Sequence, residues 1–274
     1  MKKKTFLITG CSSGIGLDTA RALKDSYHII ATARKEEDVY RLQKEGFEAY
    51  KLDVTLSPEI DSVLETILAK HQTLYALFNN AGFGQPGAVE DITKAVLKEQ
   101  FETNFFGMWE LTTKTIKIFR KQGFGRVINH SSVLGLISLR FRGAYNASKY
   151  AIEGMNDTLR LELMGTDIYV ITINTGPVES DFRKNATKKF FQNLPNFKES
   201  IFAQEYEKEL LEQKDSSKND PFTCKSDVVI VNIEHALKSK IPKPRYYNTK
   251  ATYILGFLKR ILSTAWLDRI LKKI

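Results

Sequence analysis

Cysteine is scarce in this chain: Cys11 and Cys224 are the only two among 274 residues. Two thiols cannot build a disulfide framework, and no CxxC or Cys/His ligand spacing suits structural zinc, so a reducing, cytoplasmic setting is expected. No apolar run reaches the roughly 18 residues that a bilayer-spanning helix needs. The basic opening Met1-Lys2-Lys3-Lys4 leads into Phe6-Leu7-Ile8, but that run stops at Thr9-Gly10, too early for a signal-peptide core. Acidic residues are the minority, 32 against 41 Lys+Arg, which leaves a formal charge of +9. The lysines are spread along the chain rather than gathered with interleaved aromatics, so a nucleic-acid partner is not expected.

Hydrophobic residues at 42% and charged residues at 27% match globular averages and exclude disordered, collagen-like and coiled-coil classes. The length suits one α/β domain spanning 1–274. Apolar runs of strand length alternate with stretches of helical period, the order that builds a parallel sheet. Strands are expected at 4–9, 27–33, 47–52, 74–79, 126–131, 167–174 and 245–248. Helices are expected at 14–25, 35–45, 57–70, 91–121 with a break near Thr103-Asn104, 142–164 and 226–238. The fold class is therefore doubly wound α/β, a single Rossmann domain with a central parallel sheet flanked by helices, which places ligands at the carboxyl ends of the strands.

Two stretches break the alternation. Residues 181–222 are polar and lysine-rich but carry Phe190, Phe191, Phe197, Phe202, Tyr206 and Phe222, and read as a substrate lid or a surface insertion. The tail from Lys250 to Ile274 has six basic residues against one acid, Asp268, with Trp266, Leu267, Ile270, Leu271 and Ile274 at helical spacing. It reads as a basic amphipathic helical tail docked on its own core or a partner subunit, with membrane-surface contact as the minor reading.

Chemistry concentrates at the strand ends. After the first strand comes Thr9-Gly10-Cys11-Ser12-Ser13-Gly14-Ile15-Gly16, followed at once by a helical pattern. A glycine turn feeding a helix N-terminus offers free N–H groups and a positive dipole end, which suits a pyrophosphate. The second strand ends in Ala33-Arg34-Lys35 with no acid in place for a ribose 2′-hydroxyl. Arg34 can instead grip a 2′-phosphate, so NADP(H) is expected over NAD(H). Asp53-Val54 closes the third strand and Asn79-Asn80-Ala81-Gly82 the fourth, both on the dinucleotide's expected path.

Ser132 ends the fifth strand, and Tyr145 and Lys149 share one face of the helix that follows. A phenol with a pKa near 10 is a poor acid-base group at neutral pH unless a cation stabilises its phenolate. One charge at about 4 Å in an effective dielectric of about 20 is worth on the order of 4 kcal/mol, or about three pKa units before desolvation. Lys149 is the expected cation. His130, two residues before Ser132, reads as a structural core histidine.

Together these residues resemble the short-chain dehydrogenase/reductase family over residues 4 to about 180. The shared motifs are TGxxxGIG at Thr9–Gly16, NNAG at Asn79–Gly82, and Ser132 with Tyr145 and Lys149. The resemblance implies that Tyr145 donates or accepts the proton, Ser132 steadies the substrate oxygen, and Lys149 positions ribose and lowers the Tyr145 pKa. It also matches Asn104 to the family's fourth catalytic position, a water relay. Gly176-Pro177-Val178-Glu179-Ser180 resembles the nicotinamide-side loop, with Pro177, Val178 and Ser180 as expected cofactor contacts; Ser180 stands where a threonine is usual. Within the family, Gly10-Cys11-Ser12-Ser13 and Ala31-Thr32-Ala33-Arg34 look most like the hydroxysteroid and retinol dehydrogenase branch, whose bacterial relatives reduce aldehydes or ketones with NADPH. The implied activity is reversible reduction of an apolar carbonyl by a homodimer or homotetramer paired through the 91–121 and 142–164 helices. The alternative reading is a cofactor-binding sensor or scaffold whose tail contacts a partner or membrane.

Overall fold

A computed structural model describes residues 3–215 and 223–274 of the chain. Met1, Lys2 and Phe222, noted above, lie outside the described residues, as does the end of the 181–222 segment. Seven strands form one all-parallel sheet: β1 (Lys4–Ile8), β2 (Tyr27–Ala33), β3 (Glu48–Lys51), β4 (Ala76–Asn79), β5 (Phe124–Ser132), β6 (Asp167–Thr175) and β7 (Arg245–Tyr247). Their spatial order is β3-β2-β1-β4-β5-β6-β7. The order reverses between β1 and β4, the switch point at which a doubly wound sheet opens a crevice.

Successive side chains of a strand face opposite sides, and β1 shows the result. Phe6 and Ile8 enter one core with Leu17, Ala20, Val229 and Ile233, whereas Leu7 enters the other with Ile60, Ile67, Leu111 and Phe119. The first core is closed by α1 (Gly14–Leu23), α2 (Glu36–Lys44) and α9 (Asp227–Lys238), the second by α3 (Ser57–His71) and α5 (Met108–Gln122).

The break expected near Thr103-Asn104 is a π-helical turn, Glu102–Gly107, between α4 (Lys94–Phe101) and α5. The widened turn accompanies close contact with the third strand's exit. A Cβ on Gly107 would come within 2.2 Å of the Val54 carbonyl oxygen. The long α6 (Gly143–Glu162) buries Tyr145, Lys149, Glu153 and Asn156, spaced four, four and three apart along one face, with Ser148 beside them.

The 181–222 segment contains α7 (Phe182–Asn193), a 3₁₀ turn at Phe197–Glu199 and α8 (Ala203–Asp215). Phe190, Leu194 and Tyr206 make a small core of their own with Ala88 and Phe141. The tail forms two helices, α10 (Lys250–Ile261) and α11 (Thr264–Leu271). Leu267 packs on Val133 and Ile137, with Leu255, Leu258, Leu262 and Leu271 around it. Tyr253, Phe257, Ile261 and Trp266 remain exposed. No described helix is long and apolar enough to cross a membrane.

Candidate active site

The glycine turn lies at the switch point. Gly10 and Gly14 hold φ of 70° and 57°. A Cβ on Gly16 would stand 2.5 Å from both the Gly10 carbonyl oxygen and the Asn80 side-chain amide, so the close approach excludes any larger residue. Ser13 occupies the N-cap of α1 without making a side-chain capping bond. The first N–H groups of that helix, from Gly14, Ile15 and Gly16, therefore lack a capping acceptor, and they fit the pyrophosphate of a dinucleotide. Asn80 braces the turn by donating to the carbonyls of Thr9 at 3.0 Å and Gly10 at 3.1 Å. The Thr9 hydroxyl accepts the N–H groups of Asn80 and Ala81, each at 3.0 Å. Burial pushes the Cys11 thiol up to about 12, so it is a packing group rather than a nucleophile.

At the end of β2, Arg34 is exposed and has no hydrogen-bond or ion-pair partner among the described residues. Lys35 is drawn to Glu37 at 2.9 Å. A second guanidinium, Arg41, donates to the Ser12 carbonyl and pairs with Asp38 at 2.9 Å. Its position on α2 carries no motif, so the sequence did not single it out. Asp53 accepts from both the N–H and the hydroxyl of Thr55, at 3.0 and 2.8 Å. Gly82 lies flush against Asn104, whose Oδ1 would be 3.1 Å from an added Cβ.

At the carboxyl end of β5, the buried Ser132 hydroxyl donates to the Thr175 carbonyl at 3.3 Å, accepts the Leu134 N–H at 3.1 Å and lies near the buried Tyr145 phenol. Burial raises the Tyr145 pKa above the ordinary phenol range, and the nearby Ser132 hydroxyl only partly opposes it. The Lys149 ammonium donates to the His130 carbonyl at 2.7 Å and sits 5.5 Å from the centre of the Tyr145 ring. Burial pushes Lys149 down to about 8, against the attraction of Glu153, so it stays charged at neutral pH. The lysine was expected to pull the phenol down; in this state its proton is aimed at His130 and the phenol stays high.

His130 links Asn80 Oδ1 at 3.1 Å to Thr175 Oγ1 at 2.9 Å, and burial beside the Lys149 charge holds its pKa near 3. It is a neutral brace joining the glycine turn to the chemical end. Asn104 Oδ1 accepts the Phe83 N–H at 3.0 Å, while its amide donates to the Phe83 carbonyl at 2.9 Å and to Ser148 Oγ at 3.3 Å. Either side of Val178, the Pro177 carbonyl accepts the Cys224 N–H at 3.1 Å and the Glu179 N–H donates to the Cys224 carbonyl at 2.9 Å, and Ser180 lies 3.3 Å from a Cβ position on Gly14. Phe182, at the start of α7, places its ring edge-on to Tyr145 with centroids 5.4 Å apart. No sequence signal marked it among the segment's other aromatics.

This strand order and glycine turn are those of the dinucleotide-binding fold class. The model of the short chain dehydrogenases matches residues 4–190, and the chain belongs to that family. An uncharacterized oxidoreductase of Escherichia coli strain K12, YbbO, is 36% identical over 98% of this chain and 94% of its own length. Human retinol dehydrogenase 8 is 33% identical over 65% of this chain and 60% of its own. Two solved structures share the fold. A Burkholderia phymatum family member in complex with NAD has TM-score 0.79 at 19% identity, covering 94% of this chain and 92% of that one. The closed form of a serine dehydrogenase complexed with NADP+ has TM-score 0.75 at 20% identity, covering 90% and 95%.

Proposed function

We propose that this oxidoreductase reduces an apolar aldehyde or ketone to the alcohol, reversibly, with NADPH. The observation that carries the reading is the gathering of Ser132, Tyr145 and Lys149 past the end of β5, beside a turn that has no side-chain cap and keeps glycine at positions 10, 14 and 16. Gly10, Ser12, Ser13, Gly14, Ile15 and Gly16 would hold the pyrophosphate, and Asp53, Val54, Asn80, Ala81 and Gly82 the adenosine side. Pro177, Val178 and Ser180 would meet the nicotinamide end. When bound, the cofactor supplies a hydride to the carbonyl carbon.

Tyr145 gives its proton to the substrate oxygen, and burial suits it to that task by keeping the phenol protonated. Ser132 donates a second hydrogen bond to the charge that develops on the same oxygen. The phenolate left behind is attracted by the Lys149 ammonium. At the 5.5 Å ring distance and an effective dielectric of about 20, that attraction is on the order of 3 kcal/mol. Asn104 acts by anchoring the Phe83 backbone at the rim. Phe182 and the aromatic segment behind it favour an apolar substrate.

Arg34 favours the 2′-phosphate of NADPH, since no acid among the described residues pairs with it and Lys35 is occupied by Glu37. Exposed Phe106, Trp109 and Tyr150 on the α5 and α6 side support pairing into a homodimer or homotetramer. The test is NADPH oxidation against a panel of aliphatic and aromatic aldehydes, ketosteroids and retinal, with polar sugars as the contrast. Turnover should be confined to apolar carbonyls and should favour NADPH over NADH, with Arg34→Asp removing most of that preference. An unchanged preference in that variant contradicts the cofactor reading, and turnover of polar sugars alone contradicts the substrate reading.

A further inference from the structure

A separate cluster lies at the other pole of the sheet, away from the dinucleotide turn. His28 is near the start of β2, Glu48 opens β3 and His71 closes α3. The Nε2 atoms of His28 and His71 stand 2.7 and 3.0 Å from the same oxygen of Glu48, Oε2. All three donor atoms lie within 4.8 Å of one another, and the imidazole centroids are 4.5 Å apart. From these positions we infer that His28, Glu48 and His71 bind one divalent transition-metal ion, with Zn2+ the best match.

The surroundings divide the carboxylate in a way that suits a ligand. Tyr50 donates its hydroxyl to Oε1, and Lys70 is held by that same hydroxyl at 2.7 Å, remaining 3.6 Å from Oε1. The competing cation is thus kept to one oxygen, and the other faces the two imidazoles.

Two imidazoles and one carboxylate form a familiar zinc donor set, with bonds of about 2.0–2.2 Å and neighbouring donors about 3.3 Å apart in a tetrahedron. The two histidine–carboxylate spacings, 2.7 and 3.0 Å, need to open by about 0.6 and 0.3 Å. The His28 side chain is 39% exposed, which leaves a fourth position for water. Borderline Zn2+ suits mixed nitrogen and oxygen donors better than Mg2+ or Ca2+, which prefer oxygen alone.

The three donors come from three elements, and β3 is an edge strand. Bound zinc would tie that edge to β2 and to the end of α3. Five residues of strand separate His28 from the end of β2, on the order of 16 Å, so the ion would brace the fold without touching the candidate active site. The inference therefore stands or falls apart from the proposed reductase activity. Spacing could not reveal it, since the donors are scattered over three elements with no short-range pattern.

The test is calorimetric titration of the full chain with zinc chloride, read beside thermal unfolding and the visible spectrum of the Co2+-loaded protein. One zinc per chain is expected, and His28→Ala and His71→Ala should each weaken binding at least about tenfold with unchanged far-ultraviolet circular dichroism. At zinc a hundredfold above Kd, Tm should rise by roughly 5 °C in the wild type and not in the variants. Cys224→Ser should keep full zinc affinity, and NADPH turnover of His28→Ala should match wild type. Should either alanine variant fail to fold, a four-coordinate Co2+ spectrum of the wild-type chain supports the site and a six-coordinate one contradicts it. No saturable zinc binding to the wild type, or binding undiminished in both histidine variants, overturns the inference.

Discussion

Tyr145 and Phe182 touch ring to ring, yet they belong to regions built on opposite rules. Around Tyr145 the constraints act on the backbone. Gly10 and Gly16 admit no side chain, Asn80 spans two carbonyls of the turn, and Lys149 is aimed at the His130 carbonyl. Around Phe182 the constraints are side chain against side chain. Phe190, Phe197 and Tyr206 interlock with ring centroids 5.0 to 6.5 Å apart, and Ser200 and Tyr206 both donate to Asp91. Backbone cradles tolerate one residue type at each position. Aromatic packing tolerates many, so the glycine-turn side is rigidly specified and the aromatic side is free to vary.

The sharpest break in that comparison is Gly16→Ala. Its Cβ would meet a backbone oxygen that cannot yield, costing up to about 3 kcal/mol, so NADPH should bind about a hundredfold more weakly by fluorescence titration. Affinity within threefold of wild type would show that the turn is looser than described.

His130 tests whether the brace between the two ends is neutral. Its folded pKa, near 3, lies below the unfolded value of about 6.5, so its contribution is complete above pH 6.5 and is lost as pH falls toward 3. At pH 5 the loss should reach up to about 2 kcal/mol, and urea unfolding of His130→Asn should lack that part of the drop between pH 7 and pH 5. Equal drops in the two proteins would place the acid sensitivity elsewhere.

The smallest expected effect falls on the variable side. Phe182→Ala removes a half-exposed ring from the rim of Tyr145, and kcat/KM for an apolar carbonyl should fall about tenfold while KM for NADPH stays put. A rise in the cofactor's KM of the same size would assign Phe182 to the cradle instead.

Much of the fold was legible because its signals are local. Buried parallel strands such as Tyr169-Val170-Ile171-Thr172-Ile173 read as continuous apolar runs, and all seven strands lie where such runs placed them. Ser132, Tyr145 and Lys149 could be grouped because a strand end and one helical turn separate them. What stayed hidden depends on distant partners. The 91–121 pattern showed a break but not the π-turn that seats Asn104 on Phe83. A chain of amides, Asn79 to Asn129 to Asn156 and on to Thr172, crosses the buried sheet at 2.6 to 2.9 Å and carries no periodicity of its own. The tail's helical spacing was visible, but not that Ile261 ends one helix and Thr264 begins another whose Leu267 lies on Val133.

Turnover in the proposed reaction depends on one proton held by a buried phenol. The most direct measurement compares turnover and NADPH affinity in Tyr145→Phe, which keeps the ring against Phe182 and removes only the hydroxyl. Turnover should fall by about a hundredfold to ten-thousandfold with the NADPH Kd within about threefold of wild type. A variant that keeps more than about a tenth of wild-type turnover at unchanged affinity would contradict the account.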